Sequence, residues 1–542
     1  MKNKILLLLL VLAVFIPFAF SNWGLTESSE ARYAEISREM YTGGDYLHPK
    51  LLGIQHFHKP PVTYYITAAG YAIFGVNEYG ARFFLQIALL MQVMLVFLIA
   101  QRLYQNRNLS IAAALIYFSY PVVQIAAKNL TTDAYLTTFI FSCIYFFIKY
   151  QQTNRKVIYL YLFYIFCGLA FLTKGPVGLL PQVLFAVCYM RMMKIRVRLG
   201  IQQVAGILLC ILISASWFAA LLMENKSFLD YFLHYQIVNR VSGDVFHRSQ
   251  PFWYYFMVMP PQALPAFIYF IGWCISAAKK RGLSVEGSNL LLIPLVIMFI
   301  IFSASSSKLI LYVMPLYLFI AILSARYLTA ISLKTIRGFN IFSVVFAAIV
   351  FAALATSRFF IKDYSVPAII IPLCIAALIT VLFIYQRTFS SGFVKAPLLS
   401  AVTVAWLICM MPFLMKANET AINSVKPVAT YINEQDIKKE ATITVYNYLL
   451  PSLAFYTGRK ILTVNNGYHL AERETFFEKN NEEMSYGYIK LATHDTSLSK
   501  GLPAAPVSYL VAFADEPIPD SLSYLKKGSN KKIIGDKWAI YH

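Results

Sequence analysis

Apolar residues recur along this chain in long blocks rather than in alternation. Thirteen runs are each close to the ~20 residues that a helix needs to cross a bilayer. They fall at 4–21, 80–101, 109–123, 133–150, 157–173, 176–191, 201–222, 254–278, 288–304, 309–325, 338–356, 365–385 and 396–415. Between them lie two longer polar stretches, 22–79 and 223–253, and after them a mixed segment, 416–542. That last segment alternates strand-like runs (Thr442–Tyr446, Val507–Phe513, Trp538–Tyr541) with helical ones (Thr420–Asn433, Leu449–Thr457), the pattern of a small α/β domain. The predicted architecture is an α-helical polytopic membrane protein with about 13 transmembrane helices (1–415) and a C-terminal external soluble α/β domain (416–542).

Composition agrees. Only 13% of the 542 residues are charged, 58% are hydrophobic, and mean hydropathy is +0.60. Soluble domains are nearer 25% charged. The formal net charge of +21 would ordinarily suggest nucleic-acid binding. Its distribution excludes that reading. Residues 416–542 carry 15 basic and 14 acidic side chains, so the excess lies among the apolar runs. If the N-terminus is cytoplasmic, 19 of the 32 earlier basic residues fall on the cytoplasmic side and only Glu286 of the 12 acidic ones joins them. This satisfies the positive-inside rule and places 416–542 outside the plasma membrane. The first run reads as an uncleaved anchor. All seven cysteines lie within the apolar runs and read as packing residues.

The chemistry concentrates in the polar stretches. Ser28 or Ser29 can cap a helix ended by Gly43-Gly44, with Glu27, Glu30 and Arg32 at its start. The bland reading of the two carboxylates is capping. Further on, Phe57-His58-Lys59-Pro60-Pro61 fixes a lysine in stiff, extended backbone beside histidines. Lys59 there is either a phosphate ligand or a snorkelling surface lysine.

Taken in order, Glu30-Ala-Arg-Tyr-Ala-Glu-Ile36, Gly44-Asp45, Phe57–Pro61 and Phe74-Gly-Val-Asn-Glu78 resemble the opening of bacterial GT-C glycosyltransferases, of the aminoarabinose transferase and protein O-mannosyltransferase-like family. Lys128–Asp133, Leu172-Thr-Lys-Gly-Pro176, His247-Arg-Ser-Gln-Pro-Phe-Trp-Tyr-Tyr255 and Ser303–Pro315 continue the resemblance, which reaches Leu453–Arg459 more weakly. It implies a GT-C fold and a glycosyltransferase. Such an enzyme moves a sugar from a polyprenyl-phosphate-linked donor to a lipid, glycan or protein acceptor outside the membrane.

It also implies site residues. Glu30 matches the family's acid/base glutamate, while Ser29 stands where an aspartate is common, so Asp133 and Glu27 remain alternatives for the base. Lys59, Arg32, Arg82, Arg248, Lys308 and Tyr312 are the expected donor-phosphate contacts. Relatives join a glutamate before Lys-Pro-Pro to a histidine at a divalent metal. Here the positions are His58 and His247, which either hold such an ion or hydrogen-bond the phosphate. The competing class is a transporter or flippase of lipid-linked sugars, which calls for ionisable groups midway through spans and for repeated halves.

Overall fold

The computed structural model describes residues 2–27, 29–196, 200–226, 228, 231, 249–279, 285–360, 364–388, 392–438, 440–468, 473–474, 477, 487–490, 508–525 and 530–542. Two units emerge. One comprises Met1–Phe20, Phe83–Lys128 and Thr132–Phe413; the other comprises Ser21–Arg82, Asn129–Thr131 and Leu414–His542.

The first unit is helical. Helix α1 spans Lys2–Ala19, and α2 (Ser29–Gly43) and α3 (Val62–Phe74) belong to the other unit. There follow α4 (Glu78–Tyr104), α5 (Arg107–Phe118), α6 (Pro121–Ala126), α7 (Thr132–Gln152), α8 (Val157–Lys174), α9 (Leu180–Met192) and α10 (Ile201–Glu224). The series continues with α11 (Tyr254–Gln262), α12 (Phe267–Ala278), α13 (Val285–Ala304), α14 (Leu316–Ala330), α15 (Leu333–Thr356), α16 (Ile370–Gln386) and α17 (Lys395–Ala417). Among the described residues, five helical segments are long and apolar enough to cross a membrane: Glu78–Tyr104, Val157–Lys174, Ile201–Glu224, Leu333–Phe359 and Gly392–Ala417.

Small residues set the closest helix contacts, as expected where lipid supplies no hydrophobic drive. A Cβ on Gly168 of α8 would meet the Ile213 side chain of α10 at 2.7 Å, and one on Gly206 of α10 would meet the Tyr164 ring at 2.2 Å. Helix α14 is apolar all round and almost wholly buried from Leu316 to Leu323, which makes it the central helix of this unit. Some buried polar groups are paired internally. Gln92 takes a hydrogen bond from Tyr117 (2.6 Å) and donates to Ala134 O (2.8 Å).

Two apolar runs break where the sequence pattern runs on. The stretch 254–278 divides into α11 and α12, because Pro260, Pro261 and Pro265 remove backbone donors in the middle of the run. The stretch 109–123 divides at Ser119-Tyr120, ahead of Pro121.

In the second unit a six-stranded sheet has the order β5-β4-β3-β6-β8-β7, built from β3 (Ile443–Tyr446), β4 (Ile461–Asn465), β5 (Tyr488–Lys490), β6 (Tyr509–Phe513), β7 (Lys531–Ile534) and β8 (Trp538–Tyr541). Strands β5, β4, β3 and β6 are parallel, with Ile443 opposite Ile461 and Tyr509. Strand β8 pairs antiparallel with β6 and β7. Strand β3 is buried at every position, as a central parallel strand should be. Its core includes Val428 and Ile432 of α18 (Lys426–Gln435) and Leu453 of α19 (Pro451–Thr457).

The stretch 22–79 is not a simple loop. It folds with the sheet as α2, a short hairpin of β1 (Lys50–Leu51) and β2 (Ile54–Gln55), and the apolar α3. At 13 residues α3 is too short to cross a bilayer alone. It packs on α2, where Tyr71 donates to Ala34 O at 2.9 Å.

Candidate functional site

Within the second unit, Glu30 opens helix α2 and Arg82 lies in the first turns of α4. They form a buried, bidentate pair: Nε to Oε1 at 2.8 Å and Nη2 to Oε2 at 2.9 Å, with side-chain exposures of 0% for Arg82 and 1% for Glu30. Thr26 adds its amide (3.0 Å) and hydroxyl (3.1 Å) to Oε2, and the Leu130 amide reaches Oε1 at 3.3 Å. Arg82 spends its other donors on the carbonyls of Ser21, Trp23 and Gly24, with the guanidinium 4.3 Å over the Trp23 ring. Five donors thus converge on a carboxylate that offers about four acceptor directions.

Glu27 lies elsewhere in this unit. Its Oε1 accepts from the Ser452 amide (2.9 Å) and hydroxyl (2.6 Å), at the start of α19. Burial raises its pKa to about 7, against the lowering effect of those two hydrogen bonds.

A second cluster centres on Glu474, which nothing in the sequence pattern singled out. Arg32 Nη1 donates to its Oε1, which also takes Arg473 Nε (3.0 Å) and Nη2 (2.5 Å). His56 Nε2 lies 2.8 Å and His58 Nδ1 3.2 Å from Oε2. Burial alone would raise the Glu474 carboxyl, yet Arg32 and the imidazoles outweigh it and hold it well below the usual range. Burial depresses both histidines, His58 to about 3 with help from His56, so both are neutral at physiological pH.

His56, His58 and Glu474 could together hold a metal ion, their donor atoms lying within 4.8 Å of one another. Two neutral imidazoles and a carboxylate are a zinc-type donor set, and the guanidiniums on Oε1 leave Oε2 for the ion. The residues therefore fit the divalent ion that the resemblance implies, with Glu474 and His56 joining His58. His247 lies outside the described residues, as does Arg248. Half-buried Lys59 follows His58 directly and leads through Pro60-Pro61 into α3.

The first unit brings three further groups together. Lys174, at the end of α8, meets Asp133 of α7 at 2.5 Å. Its Nζ also sits 4.0 Å from the centre of the Tyr312 ring. Gly175, at φ 74°, ends α8 just after the lysine and so fixes where it projects. Lys308 is buried and donates to the carbonyls of Gln250 (2.7 Å) and Ser305 (2.5 Å), beside the Ser249–Ser307 bridge. Tyr255 donates to Leu309 O at 3.1 Å, holding the same turn.

Three of the expected phosphate contacts are thus occupied by protein groups rather than open: Arg82 by Glu30, Arg32 by Glu474, and Lys308 by backbone carbonyls. The sequence paired none of them. It also left out His56, Arg473 and Glu474, and it gave Lys174 no partner.

These helices and this sheet follow the GT-C fold of a polytopic membrane protein. The crystal structure of ArnT from Cupriavidus metallidurans bound to undecaprenyl phosphate superimposes with a TM-score of 0.79 at 20% identity, covering 100% of this chain and 98% of that one. The family described as dolichyl-phosphate-mannose-protein mannosyltransferase matches residues 58–222. An undecaprenyl phosphate-alpha-4-amino-4-deoxy-L-arabinose arabinosyl transferase of Pseudomonas fluorescens is 31% identical over 320 residues, 58% of each chain. A protein of Aquifex aeolicus is 30% identical over 365 residues, 66% of this chain and 70% of its own. The chain belongs to the bacterial GT-C glycosyltransferases of the aminoarabinose transferase and protein O-mannosyltransferase-like family. It spans a little under three fifths of the length of the curated arabinosyl transferases it matches.

Proposed function

We propose that this protein is an integral-membrane glycosyltransferase that moves a sugar from a polyprenyl-phosphate donor to a lipid, glycan or protein acceptor. The observation that carries the reading is the Asp133–Lys174 pair against Tyr312, on helices that match the family. In the transfer, the acceptor oxygen attacks the anomeric carbon and the bond from that carbon to the donor phosphate breaks. The acceptor loses a proton, and the departing phosphate gains negative charge.

Asp133 is the better-placed proton acceptor, because a base needs an acceptor direction left open. Glu30 has its acceptor capacity filled, and its part in this reading is to hold Arg82 and the opening of α2 in place. Lys174, held against Asp133 and the Tyr312 ring, stabilises the developing phosphate charge. A divalent ion held by His56, His58 and Glu474 would supply further positive charge to a phosphate; no step above depends on it.

The reading includes thirteen spans, a cytoplasmic N-terminus and an external 416–542 in the plasma membrane. Its support is the placement of basic residues along the sequence. Purified protein given a radiolabelled polyprenyl-phosphate sugar and a membrane extract should produce labelled acceptor. Label that stays wholly on the polyprenyl phosphate with intact wild-type protein would refute the reading.

A further inference from the structure

Helices α7 and α8 carry Asp133 and Lys174 at one end and a different chemistry at the other. At that other end the chain passes from α7 to α8 through Thr153-Asn-Arg-Lys156. The Lys156 amide donates to Thr153 O at 3.1 Å, and both residues between them are left-handed, Asn154 at φ 48° and Arg155 at φ 56°. A tight turn with two left-handed central positions favours glycine, asparagine or aspartate. Asn154 fits that rule and Arg155 does not. An arginine kept where glycine would be easier implies a use for its side chain.

Arg155 has cationic company. Lys156 follows it, and Lys149 lies in the last turn of α7. Gln152, from the same turn, donates to Arg102 O at 3.1 Å, which brings the end of α4 alongside. Arg102 lies in the last turn of α4, and Arg107 opens α5. Lys149 Nζ stands 4.3 Å from the centre of the Tyr159 ring and 5.4 Å from that of Tyr145, so aromatic faces steady it rather than a carboxylate. Arg107, Arg155 and Lys156 are exposed, while Arg102 and Lys149 are half-buried. Among the described residues none of these five makes an ion pair. Neither 102–107 nor 149–156 contains an aspartate or a glutamate.

Position decides what answers that charge. Helices α4 and α8 are both long and apolar enough to cross a membrane, and the cluster stands at their ends. The ends of such helices lie at the headgroup level of a bilayer. The 18 residues of α8 make it about 27 Å long, so a membrane's thickness separates the cluster from the Asp133–Lys174 pair. One lipid phosphate cannot serve both places. Ile158, two residues past Lys156 and 58% exposed, offers apolar surface to lipid tails. Charges that served orientation alone could sit anywhere in the turn, and glycine at 155 would leave four of the five in place.

We propose that Arg102, Arg107, Lys149, Arg155 and Lys156 form a binding site for the headgroup of an anionic glycerophospholipid, in the leaflet opposite Asp133 and Lys174. The phosphodiester accepts charge-assisted hydrogen bonds from the arginines and lysines, and the lipid pins the turn between α7 and α8. The site does not rest on the transferase reading.

The test uses full-length protein in detergent micelles, titrated with dioleoylphosphatidylglycerol or dioleoylphosphatidylcholine, with native mass spectrometry counting the lipids retained. Wild type should hold phosphatidylglycerol more tightly than phosphatidylcholine. Arg155→Gly should lower that preference about fivefold, the worth of one cation beside an anionic lipid, and adding Lys156→Gln should lower it about 25-fold. Because glycine is at ease in the left-handed region, the Arg155→Gly protein should melt no lower than wild type. Arg155→Asn, which also tolerates that backbone, should lose the same preference and gives a second folded variant. The proposal is overturned if wild type shows no preference, if the folded variants keep the wild-type preference, or if an equimolar amount of inorganic phosphate displaces the lipid, which would make this a site for soluble anions. It is equally overturned if the folded variants lose undecaprenyl phosphate to the same degree, which would assign the cluster to the donor. Lipid selectivity that follows these substitutions upholds it, whether or not the preparation transfers sugar.

Discussion

Arg82 closes on Glu30 through two parallel hydrogen bonds of 2.8 and 2.9 Å, and neither side chain is more than 1% exposed. A pair of this kind is costly to break from one side. Glu30→Gln strands a buried guanidinium, which costs about 3–5 kcal/mol. The variant should therefore melt well below wild type in detergent, as well as losing transfer. Adding Arg82→Met should restore most of the melting temperature and little of the activity. A Glu30→Gln protein as stable as wild type would show that the pair contributes nothing to the fold.

Asp133 should behave in the opposite way. Asp133→Asn keeps its size and part of its contact with Lys174, so folding should persist while transfer drops about 10²–10⁴-fold, the range for a general base. Single-turnover assays with saturating donor measure that step directly. Retention of the wild-type rate in this variant would move the proton acceptor elsewhere.

Lys59 is predicted to contact the donor phosphate. Lys59→Ala should weaken binding of polyprenyl phosphate, and Lys59→Arg should recover only part of it, since a planar fork does not reproduce a compact ammonium. Titration of undecaprenyl phosphate against the purified variants reads this out. Equal affinity in the Ala variant would exclude the contact.

Glu27 makes stability depend on pH. Its carboxyl is raised from 4.5 to about 7 in the folded protein, so between these values the folded state binds more protons than the unfolded one. The resulting stability is present below pH 4.5 and is lost as pH rises toward 7. Glu27→Gln keeps an oxygen for Ser452 but cannot ionise. The variant's melting temperature relative to wild type should thus be more favourable at pH 8 than at pH 5. A pH-independent difference would contradict the assignment.

Orientation can be read chemically. In a background lacking the seven native cysteines, Ser523→Cys should react with an impermeant maleimide in intact cells, because Ser523 is exposed and the segment is predicted external. Labelling that requires permeabilisation would reverse the topology.

Much of the helical unit was legible because apolar run length and charge placement are local signals. Breaks were harder. Nothing in the hydropathy of 254–278 marks a stop, and only three prolines indicate the division. Helix α3 was hidden because it is apolar but short, and follows Lys59-Pro60-Pro61 within a stretch rich in charge. The site was legible as residue types and not as partnerships. Glu30 and Arg82 are 52 positions apart, and Arg32 and Glu474 are 442 apart. No periodicity joins such positions. His56 was visible beside Lys59, but its relation to Glu474 depends on folding of the final segment.

That separation affects the order of synthesis. Residues 21–82 share one compact unit with 414–542, so their partners emerge only after more than three hundred further residues have been made. At about 5–20 residues per second, the wait is on the order of twenty seconds to a minute. During it, Glu27, Arg32 and His56 lack the groups that later surround them, and the apolar face of α2 has no sheet domain to cover it. The nascent chain must pass through this interval with its earliest loop unfinished, which makes that loop the place where a quality-control protease or chaperone would first distinguish a truncated product from a finished one.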